Sequence, residues 1–193
     1  MMRNPFKKLL FHHQHVCPWW WCFTFDNFLR KLLHNSEKIL RPYVIEGNTI
    51  LDIGPGMGYF SIPLARMVGE KGKVIAADIQ PQMLEALRRR ARRAGVEQRV
   101  ITHLSKVDSL GLNIQFDFVL AFWMIHEVPN PLAFFEEIKS LLKLSGKFLL
   151  AEPVLHVNQA MYEKTVKTAE SAGLVLKERP KISLSRSALF TVN

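Results

Sequence analysis

Thr49-Ile50-Leu51-Asp52-Ile53-Gly54-Pro55-Gly56-Met57-Gly58-Tyr59-Phe60-Ser61 decides the fold. An apolar run carrying one acid ends in three glycines spaced G-x-G-x-G, and an apolar segment with helical character follows. The pattern predicts a strand, a tight turn and a helix start. Glycine is needed where the backbone takes unusual dihedrals or comes very close to a ligand. A loop of this kind at the carboxyl end of a parallel strand is where α/β folds bind nucleotides and related ligands.

Outward from that stretch the chain alternates. Strands are predicted over residues 49–53, 73–77, 99–103, 116–122, 147–152, 174–178 and 187–192. Helices are predicted over about 59–68, 81–94, 131–142 and 158–172. Pro81 and Pro131 stand at helix starts, where a missing N–H costs nothing. Gly95 and Gly173 stand at helix ends. Ser145-Gly146 reads as a turn before residues 147–152, and Asn35 or Ser36 offers a cap to a short helix from Glu37 to about Tyr43. Strands alternating with helices imply a mostly parallel sheet covered on both faces. The last two strands have no helix between them and should pair antiparallel.

Composition sets the outer bounds. The 193 residues, 48% of them apolar, suit one domain with a short extension. No window reaches the roughly 18 uninterrupted apolar residues a membrane helix needs. The apolar residues after Arg3, Lys7 and Lys8 are broken by His12, His13, Gln14 and His15, which is no secretory pattern. Two cysteines give no disulfide framework, and a cytoplasmic protein is expected. The net charge of +9 permits contact with nucleic acid without requiring it. Much of that charge sits in Arg88-Arg89-Arg90-Ala91-Arg92-Arg93, where Leu84, Leu87, Ala91 and Ala94 form an apolar stripe at helical spacing. The arginines therefore read as a solvated helix face before an RNA site.

Residues 1–36 differ from the 37–193 domain. Trp19, Trp20 and Trp21 lie here with Phe23, Phe25 and Phe28, a composition too aromatic for a disordered tail. His15, Cys17 and Cys22, with His12 and His13, are metal-ligand types, but the C-x4-C spacing fits no common zinc knuckle. Three readings stay open: an aromatic lid over the site, a metal or metalloid site, and an oligomer contact.

The acids narrow the ligand. A dinucleotide fingerprint is G-x-G-x-x-G, and here Tyr59 occupies the third glycine's place while Gly58 falls one position early. Asp52, just before the loop, would repel a pyrophosphate. It suits a ligand with a cationic end, and S-adenosylmethionine has an ammonium, a sulfonium and no phosphate. Asp78 ends the next strand, where a carboxylate can accept hydrogen bonds from both ribose hydroxyls, and Ile79 beside it could cover an adenine face. The alternative for Asp78 is an N-cap of the following helix.

Four features in order carry a resemblance: the Leu51 to Gly58 loop, Val74 to Asp78, the 116–122 strand with Asp117, and Leu141 to Lys147 leading into residues 148–152. From about residue 37 onward the chain resembles a class I S-adenosylmethionine-dependent methyltransferase, closest in flavour to ubiquinone/menaquinone C-methyltransferases and arsenite methyltransferases. The resemblance implies a Rossmann-like, doubly wound, seven-stranded mostly parallel sheet with an antiparallel last strand. By position it implies that Asp52, Gly54 and Gly56 line the methionine and ribose part of the cofactor. Gly58 would allow close helix packing, Asp78 and Ile79 would hold ribose and adenine, and Met83 would touch the adenine. Many relatives place an acid after the third strand; that position is Lys106 here, so the contact falls to Asp108, Ser105 or a backbone group.

Such relatives place the loop after the fourth strand beside the transferred methyl. Here it contains Trp123, Met124, His126 and Glu127. His126 and Glu127 are the base candidates, with Glu152 a third; a base is needed where the nucleophile carries a proton. Trp19, Trp20, Trp21, Trp123, Met124 and Glu152 form the expected substrate pocket. The acceptor is expected to be a small molecule. RNA or protein methylation using the basic surface is the alternative enzyme reading, and a non-catalytic cofactor- or metal-binding module is the alternative of another class. Ala121-Phe122-Trp123-Met124 lacks the Asn/Asp-Pro-Pro-aromatic motif of RNA N6-adenine enzymes.

Overall fold

The computed structural model describes residues 34–193. Residues 1–33, and with them Trp19, Trp20, Trp21, Cys17, Cys22 and His15, lie outside the described residues. Seven strands form one sheet: β1 (Thr49–Ile53), β2 (Lys73–Asp78), β3 (Val100–Leu104), β4 (Phe116–Phe122), β5 (Leu142–Pro153), β6 (Val175–Glu178) and β7 (Ser185–Thr191). Their spatial order is β3-β2-β1-β4-β5-β7-β6. The first five pair in parallel, and β7 runs antiparallel to both β5 and β6. This is the sheet implied by the sequence, including its reversed end.

Among the described residues five α-helices cover it: α1 (Ser36–Leu40), α2 (Ser61–Met67), α3 (Pro81–Arg93), α4 (Pro131–Leu141) and α5 (Gln159–Ser171). Local chemistry sets their ends. Asn35, Asn130 and Asn158 each accept a hydrogen bond from a backbone N–H in the first turn of α1, α4 and α5. Pro81 and Pro131 sit in the first turns of α3 and α4. α2 is shorter than predicted because the 59–60 segment is spent on the exit from the glycine loop.

The parallel strands read as continuous apolar runs because both faces are buried. Side chains alternate between faces with period two. Leu51, Ile53, Val119, Ala121, Phe148 and Leu150 pack with Phe135 and Ile138 of α4 and Tyr162 and Val166 of α5. Ile50, Phe118, Leu120, Leu149 and Ala151 pack with Leu64 of α2 and Leu87 and Ala91 of α3. Each fully buried phenylalanine, such as Phe118 or Phe148, contributes roughly 1.5–3 kcal/mol relative to exposure.

One prediction fails instructively. Ser145-Gly146 does not separate a helix from a later strand. β5 begins at Leu142, directly after α4, and absorbs the extra residues as an irregularity opposite Phe116 and Phe118. Gly146 permits this, since a Cβ there would stand 2.8 Å from the carbonyl oxygens of Lys143 and Phe116. Asp117 anchors the same corner, accepting from Thr49 N–H and from Lys143 Nζ, each at 2.8 Å.

The arginine run lies on α3 as expected, with Leu84, Leu87 and Ala91 buried beneath it. Its side chains are largely engaged within the chain: Arg88 on Thr102, Arg89 on Glu85, Arg90 on the Met57 carbonyl and Arg92 on Glu97. Among the described residues no helix is long and apolar enough to cross a membrane.

Candidate active site

The carboxyl ends of β1, β2 and β4 open into a cleft of about 180 Å³. Its floor is the glycine loop. Gly54 and Gly56 line it, with φ of 64° and 53°, backbone conformations that favour glycine. A Cβ on Gly54 would press on the Met124 side chain at 3.2 Å, whereas one on Gly56 would point into open space. Gly58 plays a different part: a Cβ there would lie 2.2 Å from Leu87 Cδ1, so its lack of a side chain lets α3 pack against the loop.

The loops lace together through backbone bonds. Gly54 N–H donates to the Ala77 carbonyl and Ser105 N–H to the Asp78 carbonyl, each at 2.9 Å. Asp78 lines the cleft with 9% of its surface exposed. Its Oδ1 accepts from Gln80 N–H at 2.9 Å, and the N–H groups of Gly56 and Ile79 also support the carboxylate. Burial nonetheless outweighs those donors and pushes its pKa up from 3.8 to about 6. The N-cap position of α3 is Gln80, so the capping alternative for Asp78 does not describe this geometry.

Ile79, Gln80 and Met83 continue the wall on one side, and Ser105, Lys106, Val107, Ser109 and Leu110 form the other. Asp108 is exposed and stands outside this lining, because its loop turns the carboxylate to solvent while Ser105 faces the cleft. Asp52 also lies behind the lining. It shares the inner face of β1 with Ile50, is 2% exposed, and accepts from Ser61 Oγ at 2.6 Å at the start of α2. Ser61 was not singled out in the sequence; its place at the first helical residue after the glycine loop was the available signal.

The third side comes from the loop after β4: Trp123, Met124, Glu127, Val128 and Pro129, with Phe134 of α4. Trp123 adopts φ 63°, which for a bulky side chain costs roughly 1–3 kcal/mol. Three contacts hold it there. Its N–H donates to the Ala151 carbonyl at 2.7 Å, its indole N–H to Ser185 Oγ at 2.9 Å, and its ring meets His34 edge-on at 5.0 Å. Backbone strain of this kind concentrates at functional sites.

His126 sits in the single helical turn Ile125–Glu127. Its backbone N–H and ring Nδ1 contact the two oxygens of Glu152 at 3.0 and 2.6 Å. With Nδ1 donating to a carboxylate, the network assigns the lone pair of neutral His126 to Nε2. Nε2 is 4.0 Å from Glu127 Oε1. Burial lowers the affinity of His126 for a proton, but the hydrogen bond and charge of Glu152, with the charge of Glu127, override it and raise the pKa above 6.5. Glu152 itself is 1% exposed and does not line the cleft. Its predicted place in the substrate pocket is therefore corrected: the parallel pairing of Phe122 with Ala151 brings it behind His126, with its oxygens turned to that residue.

The structure thus brings Gly54, Gly56, Asp78, Ile79, Met83, Ser105, Trp123, Met124 and Glu127 around one cleft. A methyltransferase-domain family model matches residues 46–183. The chain belongs to the methyltransferase-domain family. Among the relatives of this methyltransferase domain, it is 28% identical over 126 residues to a demethylmenaquinone methyltransferase of Oceanobacillus iheyensis, covering 65% of this chain and 53% of that one. It is 34% identical over 114 residues to a ubiquinone biosynthesis O-methyltransferase of Paramagnetospirillum magneticum, covering 59% and 43%. The chain spans about half the length of these curated relatives, or less. A solved SAM-dependent methyltransferase from Aquifex aeolicus superposes with a TM-score of 0.83 at 25% identity, covering 92% of this chain and 100% of that one. Among the described residues no group of three or more His, Cys, Asp or Glu is placed to hold a metal ion.

Proposed function

We propose that the cleft binds S-adenosylmethionine and that the chain passes its methyl group to a small-molecule acceptor. The observation that carries the proposal is the buried Asp78 carboxylate, held by backbone N–H groups at the end of β2 and facing a glycine-floored cleft. The residues suit the cofactor's chemistry. Asp78 offers acceptors for a ribose diol, Ile79 and Met83 offer apolar surface for an adenine, and the open space beside Gly56 admits a ligand close to the backbone. When bound, S-adenosylmethionine supplies an electrophilic methyl group on a sulfonium.

The chain's own residues do the rest. Trp123, Met124, Val128, Pro129 and Phe134 give the acceptor side an apolar wall that excludes water and suits a flat, apolar substrate. His126 is the proposed base: it stands outside the lining, next to Glu127, so an acceptor seated at that edge would give up its proton to Nε2 while Glu152 fixes the ring. Glu127, which lines the cleft near Nε2, is the second candidate. Residues 1–36 are proposed to form an aromatic cap over this side. Where the described chain begins, His34 lies against Phe122 and Trp123 and donates to the Ser183 carbonyl at 2.7 Å. A cytoplasmic setting belongs to the same proposal.

The test is transfer of labelled methyl groups from S-adenosylmethionine to a panel of phenols, quinols and amines. Labelling of at least one small acceptor is expected. Labelling confined to added RNA or protein would overturn the choice of acceptor class.

A further inference from the structure

The wall formed by residues 105–111 is held from outside the cleft. Glu137 lies on α4 one turn after Phe134, on the face that turns toward the cleft. Its Oε1 accepts from Ser109 Oγ and from Gly111 N–H, both at 3.0 Å, and its Oε2 accepts from Leu110 N–H at 2.9 Å. Ser109 and Leu110 themselves line the cleft. Gly111 has φ 66°, so the chain reverses here and turns two successive N–H groups onto one carboxylate. Two further bonds fix the same turn: Lys106 N–H donates to the Ser109 carbonyl at 3.0 Å, and His103 Nε2 to the Leu110 carbonyl at 2.7 Å.

We propose that Glu137 is a positioning residue for the cofactor. It touches no ligand; it sets the wall opposite Asp78 and Ile79 at the spacing that admits a flat base. The inference rests on the reading that this cleft holds S-adenosylmethionine. A helix acid that merely tied a surface loop to α4 would contribute to stability alone. Here the tied loop supplies five of the residues that line the cleft, so its displacement must be felt by the ligand. Charge-assisted bonds are among the stronger ones, and removing all three leaves the Leu110 N–H to find a new partner while Gly111 N–H keeps Ser109 Oγ at 3.0 Å.

Binding of S-adenosylhomocysteine and of adenosine to the full chain by calorimetry, beside urea unfolding, tests this. Glu137→Ala is expected to weaken both ligands about tenfold with a small change in unfolding midpoint. Glu137→Gln, which keeps oxygen and nitrogen in place of the two oxygens, should recover part of the loss. Glu136→Gln, an exposed neighbour, should bind as the wild type does. Wild-type affinity in Glu137→Ala, or a loss of affinity in Glu137→Gln that only follows a collapse in unfolding midpoint, overturns the positioning role and leaves the cofactor reading intact. Failure of the wild type itself to bind S-adenosylhomocysteine overturns both.

Discussion

Replacing Asp78 with alanine is expected to weaken S-adenosylhomocysteine binding by 100-fold or more. Hydrogen bonds to a charged group contribute about 1.5–3 kcal/mol each, and a ribose diol makes two to this carboxylate in the proposed complex. The same residue gives the binding a pH signature. Burial holds Asp78 near 6 in the unliganded chain, so below that pH it is protonated and must lose its proton to accept from both hydroxyls. Affinity should be flat above about pH 6 and fall by up to tenfold for each pH unit below it.

Stability should move the opposite way. The folded pKa of Asp78 lies above its ordinary 3.8, so the folded chain binds more protons than the unfolded chain between those values. Its favourable contribution is complete below about 3.8 and is lost as pH rises through about 6. The gap corresponds to on the order of 3 kcal/mol, an upper bound for a group still in contact with solvent. Asp78→Asn should therefore unfold no more easily than the wild type at pH 7 while binding the ligand far more weakly. Marked destabilisation of Asp78→Asn with affinity unchanged would assign the residue to the fold instead.

The second large effect is expected at Glu152. Glu152→Gln removes the charge behind His126 and leaves burial opposed by the Glu127 charge without that of Glu152, so the His126 pKa should fall. The sign for stability follows. A histidine raised above 6.5 stabilises the fold fully below that value, and the contribution fades as pH rises through its folded pKa; Glu152→Gln should flatten this dependence. Turnover with an accepted substrate should drop about 10²-fold or more, since general base catalysis contributes roughly 10²–10⁴. S-adenosylhomocysteine affinity should stay unchanged, because Glu152 does not line the cleft. Titration of the His126 ring by NMR, with and without the substitution, checks the first part without a known acceptor. His126→Ala is the poorer probe: it leaves a carboxylate that is 1% exposed with the backbone N–H but without its ring partner, and breaking a buried pair costs up to about 3–5 kcal/mol.

The glycine loop and the two strand-end acids were legible because their signals are local. Gly54, Gly56 and Asp78 stand around the cleft at the ends of β1 and β2, and their roles toward a cofactor belong to the proposal. Even there Asp52 shows a limit: its acid was visible in sequence, but its partner Ser61 and its place behind the lining depend on how α2 docks. Other features were hidden because they are made by register. Glu152 reaches His126 across 26 residues through the parallel pairing of β4 and β5, and Glu137 reaches Leu110 across 27. Asp108 illustrates the converse, an acid near the expected position that the loop turns to solvent. Ser145-Gly146 has turn chemistry, yet it falls within β5, in the irregular stretch between the pairs Leu142–Phe116 and Lys147–Phe118. The aromatic segment with Trp19, Trp20 and Trp21 lies outside the described residues, and its role as a cap stays a proposal.

The most direct test of the account is an amide chemical-shift map of the 15N-labelled chain titrated with S-adenosylhomocysteine at pH 7. The account predicts saturable shifts centred on Gly54, Gly56, Asp78, Ile79 and Ser105, at the joined ends of β1, β2 and β3. No shifts at saturating ligand, or shifts centred elsewhere on the chain, would contradict it.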